Sequence, residues 1–180
     1  MARKLTREPR RAAKSRVRDE DVFLNIPYDA RFENLLLAYI AGISAFGFAP
    51  RATLEIPFGQ RRLDRILSLI RQSRYSIHDL SRWIVCETVP HRIKKSLSDL
   101  DGTDAYIHGG TVAGVFRELG NAFVGSKRQP SVTEMSQIYR LLRAQFRSVL
   151  KKTGAKDAFN ARVFKEFCVR ASKAADELVA

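Results

Sequence analysis

Asp21-Val-Phe-Leu-Asn-Ile-Pro-Tyr-Asp29 and Arg74-Tyr-Ser-Ile-His-Asp-Leu-Ser-Arg82 are the two stretches whose reading decides the fold. Each is a short apolar run closed by polar residues, which is how a strand buried on both faces of a parallel sheet reads. The first strand covers Asp21–Ile26 and stops at Pro27, which has no amide proton to pair. The third covers Tyr75–Leu80. Between them a helix spans Ala30–Phe46, with Phe32, Leu35, Leu36, Tyr39, Ile40 and Ile43 at helical spacing and Gly47 at its C-terminus. A second strand, Phe48–Leu54, carries Pro50, Arg51 and Thr53, which suit an edge position. A second helix repeats the pattern with Leu63, Ile66, Leu67 and Ile70, its arginines mostly on the other sides. Strands alternating with amphipathic helices form half of a doubly wound α/β sheet, and such sheets bind ligands at the carboxyl ends of their strands. His78, Asp79 and the loop from Asn25 through Tyr28 to Asp29 are therefore the first candidate site residues.

The next apolar run, Trp83–Glu87, reads as a fourth strand only Ser81 and Arg82 away. A parallel crossover needs about a dozen residues or more, so a crossover helix is missing on this reading. Further on, 90–100 reads as a short helix and 105–107 as a brief strand. Thr111 caps a helix through Val124. Ser131 and Glu134 form a capping box that opens a helix through about Lys152, and Asp157–Val179 is the last helix. The last two make a hairpin packed on the sheet or on a second copy of the chain. Three regions result: a basic arm over 1–20, an α/β domain over 21–126 and the helical hairpin over 127–180.

The net charge of +13 is unevenly placed. Residues 1–18 hold eight Lys/Arg and one Glu, 19–126 twelve and thirteen Asp/Glu, and 127–180 twelve and five. Basic flanks around a neutral sheet can bind nucleic acid by counterion release. Arg140, Arg143 and Arg147 form a stripe suited to that role; a solvated face is the alternative. No apolar stretch reaches the ~18 residues of a membrane span, so no membrane partner is expected. Cys86 and Cys168 read as buried thiols of a reducing, cytoplasmic setting.

The stretches 21–29 and 62–82, with Lys95-Ser-Leu-Ser-Asp-Leu-Asp-Gly-Thr-Asp104, resemble a bacterial family whose sheet looks like those of nucleoside 2-deoxyribosyltransferases and Toll/interleukin-receptor (TIR)-like domains. The resemblance implies a parallel, flavodoxin-like α/β sheet followed by the helical hairpin. It implies a nucleotide or nucleoside ligand, with NAD or a nucleoside as possible substrate. Asp79 matches the Asp that ends the third strand there. The helix with a Phe-Glu-Leu-Gly-type motif that should follow is absent after Arg82, which points to a deleted segment and to weak or lost N-glycosidic cleavage. Glu118, in Val115-Phe-Arg-Glu-Leu-Gly120, copies the motif but lies in a later helix.

For the reaction that this resemblance implies, Asp79 and His78 are the catalytic candidates. Cleavage at a ribose C1′ needs a carboxylate to stabilise an oxocarbenium-like state, and a strand-end His can serve as base or orient Asp79. Asn25, Tyr28 and Asp29 are candidate ligand contacts, Asp29 alternatively capping the helix behind it. Gly109 and Gly110 precede a helix, where amides can hold a phosphate or simply form the turn. No His/Cys spacing suggests a metal. The alternative function is a non-enzymatic nucleic-acid-binding or assembly module that uses the basic flanks and self-associates through the C-terminal helices.

Overall fold

The computed structural model describes residues 18–56, 62–79, 104–107 and 111–179. The strand expected at Trp83–Glu87, the short helix expected over 90–100, and Cys86, Gly109 and Gly110 lie outside them.

Among the described residues four strands form one sheet: β1 (Arg18–Asn25), β2 (Ala49–Ala52), β3 (Ser73–Asp79) and β4 (Asp104–Ile107). Their order is β2-β1-β3-β4, and every pair is parallel. This is the flavodoxin-like order, and it reverses direction between β1 and β3. β2 is the edge strand on its side among the described residues, as Pro50 and Arg51 require. β1 starts at Arg18, three residues into the expected arm, because Arg18 pairs with Ser73 across an irregularity before Val22.

The strand that pairs with β3 is β4, and 24 residues separate Asp79 from Asp104. That connection is long enough for a crossover, while the stretch in which a segment was expected to be missing lies outside the described residues.

Helix α1 (Glu33–Ala45) follows a single 3-10 turn at Ala30–Phe32. Every residue from Leu35 to Ala45 is buried. Beyond the stripe read from its spacing, the helix is apolar all round, the pattern of a helix enclosed on every side. It packs against α3 (Val112–Ala122), α4 (Val132–Thr153) and α5 (Ala161–Leu178). Helix α2 (Arg62–Gln72) packs on β3 and β1. Its expected apolar face is only partly covered, with Leu63 and Leu67 exposed.

The C-terminal helices are set by local chemistry. Thr111 Oγ1 accepts from Gly114 N and caps α3. Ser131 and Glu134 cap each other's amides at the start of α4, and Gly154 ends it in the left-handed region at φ 66°. Helix α5 begins at Ala161, four residues later than expected. Asp157 accepts from Phe159 N and Asn160 from Arg162 N, so the polar side chains hold the chain in turns until Asn160. Met135, Ile138, Leu142 and Val149 of α4 and Val163, Phe164, Phe167, Ala171, Ala174 and Ala175 of α5 are buried in the core that includes α1. The hairpin thus packs on α1 of its own chain.

Candidate functional site

The switch between β1 and β3 leaves Asn25 and His78 side by side at the carboxyl edge, paired in register. Asn25 Nδ2 lies 3.1 Å from His78 Nδ1, and His78 Nε2 lies 2.7 Å from Ser76 Oγ. The Asn25 amide is a donor, so Nδ1 accepts and the ring proton sits on Nε2, donating to Ser76. Asn25 is exposed, His78 half-buried and Ser76 buried. The imidazole is held at both ring nitrogens, and the neighbouring Asn25 is exposed to solvent.

Asp79 points the other way. Side chains alternate along a strand, so Tyr75, Ile77 and Asp79 share one face and Ser76 and His78 the other. The Asp79 face is that of α1: buried Tyr39 donates its hydroxyl to Asp79 Oδ2 at 2.6 Å. Burial, and then the Asp79 charge, raise the Tyr39 phenol far above its ordinary value. The two expected catalytic residues therefore face opposite sides of the sheet. His78 is not placed to orient Asp79, and its ring is oriented by Asn25 and Ser76 instead.

The loop after β1 is also tied down. Tyr28 Oη accepts from Thr53 N (3.2 Å) and Thr53 Oγ1 (2.7 Å), and its ring meets Phe159 at 5.8 Å. Asp29 caps the 3-10 turn through Arg31 N and pairs with the Arg31 guanidinium at 3.2 Å. Glu33 Oε1 accepts from Ala158 N, so the α4–α5 connection is fastened beside this loop. Tyr28 and Asp29 thus brace the edge of the crevice. Glu118 lies seven residues into the helix that Thr111 caps, roughly 10 Å down its axis, and is half-exposed beside Arg117.

Sequence reasoning missed Tyr39 and Ser76. Tyr39 counted only as part of an apolar face, although a tyrosine buried in a helix needs a partner for its hydroxyl. Ser76 is visible through period two alone, two residues before His78 on the same face.

Arg140, Arg143, Arg147 and Lys151 are all exposed along one side of α4. None of the four forms an ion pair among the described residues, whereas Lys152 beside them pairs with Glu166 at 2.9 Å. Among the described residues no cluster of His, Cys, Asp and Glu can hold a metal ion, and no helix is long and apolar enough to cross a membrane. Cys168 is a free thiol whose pKa is pushed up by burial and then by Glu55. In a Cys86→Ser background, Cys168 is expected to react with a disulfide reagent far more slowly in the native protein than in denaturant; equal rates would contradict that burial.

Compared with known proteins, the chain matches no family model, no curated protein and no solved structure.

Proposed function

We propose that the carboxyl edge between β1 and β3 binds a nucleoside or nucleotide, in a TIR-like or deoxyribosyltransferase-like manner, with little or no cleavage of the N-glycosidic bond. The observation that carries this reading is the Asn25–His78 pair at the switch point. The exposed Asn25 amide, held by the His78 ring, keeps one N–H and its carbonyl oxygen to offer ribose hydroxyls or a base edge. Weak chemistry follows from the carboxylates. Asp79 is engaged by Tyr39 on the other face, and Asp29 by Arg31. Neither stands ready beneath a C1′ atom. The setting this reading implies is the reducing cytoplasm.

The test is a thermal melt with adenosine, NAD and nucleoside phosphates, repeated for His78→Ala and Asn25→Ala. Binding should raise the midpoint, and each variant should lose roughly 3- to 10-fold in affinity, the worth of one hydrogen bond. No shift with any nucleoside overturns the site. NAD turnover abolished by Asp79→Ala overturns the reading of weak chemistry.

A second reading rests on the unpaired stripe of α4. Four cations are spread over twelve residues, roughly 16 Å of helix from first to last, enough to follow several phosphates. It predicts short-DNA affinity that falls steeply with salt, with a slope reduced by about one for each cation removed. Unchanged affinity for the triple variant Arg140→Ala, Arg143→Ala, Arg147→Ala would eliminate the stripe.

A further inference from the structure

The cations on α4 stand on a face with little else. At about 100° per residue, Arg140, Arg143, Arg147 and Lys151 fall within roughly 80° of the helix circumference. The other exposed residues from 140 to 151 are Ala144 and Ser148. Each of the five carboxylates in 127–180 has a partner elsewhere; Glu166, for one, is held by Lys152 and Arg170 at 2.9 and 2.8 Å. The stripe therefore keeps its charge for a polyanion outside the chain.

The aromatic residues of α4 are turned inward. Tyr139 meets Phe116 of α3 at 6.3 Å, and Phe146 stacks on Phe167 of α5 at 5.9 Å. Both are half-buried, and the Arg143 guanidinium lies 5.4 Å over the Phe146 ring. Proteins that hold single strands stack bases on exposed rings as well as following the backbone. The stripe offers charge and no exposed ring. Charge alone favours a duplex, which carries one phosphate per ~1.7 Å of axis against ~3.4 Å for one of its strands.

The same face discriminates further. Double-stranded RNA is gripped through its 2′-hydroxyls as well as its phosphates, and between the cations Ser148 is the one side chain with a hydroxyl to offer them. An anionic membrane holds a helix that also buries apolar side chains among the lipids, and Ala144 is the one exposed apolar residue from 140 to 151.

Resting on the second of the two functional readings, we propose that the exposed face of α4 binds double-stranded DNA through its phosphates, in preference to a single strand.

The full chain is titrated by fluorescence anisotropy with a labelled DNA duplex of about 20 base pairs, with one of its strands alone and with the RNA duplex of the same sequence, and is sedimented with phosphatidylglycerol vesicles. The DNA duplex should bind about tenfold or more tighter than the other nucleic acids at one salt concentration. The triple variant Arg140→Ala, Arg143→Ala, Arg147→Ala should lose that preference and reduce the duplex salt slope by about 3. Its melting midpoint should not change, since all three side chains are exposed. The triple variant Arg140→Lys, Arg143→Lys, Arg147→Lys should keep the duplex affinity, because a point charge satisfies a phosphate. Equal losses in the two triple variants would mean that the arginines read base edges, and would overturn the phosphate contact. A single strand or an RNA duplex bound as tightly as the DNA, and released by the alanine variant, overturns the choice of partner and leaves the stripe as a nucleic-acid site. Duplex binding indifferent to the alanine variant, or binding to the vesicles alone, overturns both.

Discussion

Gly42→Val is expected to lower stability by about 3 kcal/mol, the upper part of the range for overpacked cores, and the melting midpoint by roughly 6–12 °C for a chain of this size. Gly42 sits in the middle of α1 where α3 and α4 cross it. A Cβ added there would run into the Leu119 side chain and stand 3.5 Å from Met135 Sδ and 3.5 Å from Phe116 Cδ1. Glycine costs an internal helix position about 1 kcal/mol against alanine. The close approach of three helices offsets that cost. The steric cause can be isolated by a double-mutant cycle. Leu119→Ala alone leaves a cavity and should cost about 2–5 kcal/mol. If the new methyl groups occupy that space, the double variant costs clearly less than the two singles together. Strict additivity in denaturant melts would show that the helices do not meet at Gly42 as described.

The same residue shows how far the sequence was legible. A glycine in an apolar helix reads as a weak point, and nothing local reveals the leucine across from it. Strands β1 and β3 were legible because a strand buried on both faces is a short apolar run closed by polar residues or proline, as by Pro27 after the first and Ser81-Arg82 after the third. The caps at Thr111, Ser131 and Gly154 were legible because capping chemistry lies within three or four residues. The start of α5 was misjudged because the apolar pattern begins at Phe159 while Asp157 and Asn160 still hold turns. The expected strand at 83–87 lies outside the described residues, and the partner that β3 does show, β4, begins 24 residues beyond Asp79, a pairing that adjacency of apolar runs does not reveal.

The candidate site was legible as a place but not as an arrangement. The carboxyl edge follows from alternation of strands and helices alone. That His78 and Asp79 part company there follows from period two, a rule available in the sequence, but their partners do not. Asn25 meets His78 across 53 residues, and Tyr39 meets Asp79 across 40. Contacts at such separations depend on register and helix placement.

The Tyr39–Asp79 bond gives a prediction with a defined pH dependence. Tyr39→Phe should cost about 2 kcal/mol at neutral pH, the worth of a buried hydrogen bond to a charged acceptor. The native phenol holds its proton far more tightly than the unfolded one, whose pKa is about 10. Below that value both states are protonated and the contribution is complete. Above it the unfolded chain releases a proton that the native chain keeps, so unfolding is favoured by about 1.4 kcal/mol for each pH unit. The phenylalanine variant has no such proton. Urea melts of the two proteins should therefore differ most at pH 7 and converge near pH 11 to 12, since groups common to both shift both curves alike. A constant difference across that range would mean that Tyr39 titrates normally in the folded protein. The same variant separates structure from binding. Tyr39 and Asp79 lie on the α1 face and His78 on the other, so Tyr39→Phe should retain the nucleoside-dependent rise in midpoint that His78→Ala diminishes. If Tyr39→Phe abolished that rise while the protein stayed folded, the ligand would have to reach the α1 side of the sheet, and Asp79 rather than His78 would be its contact.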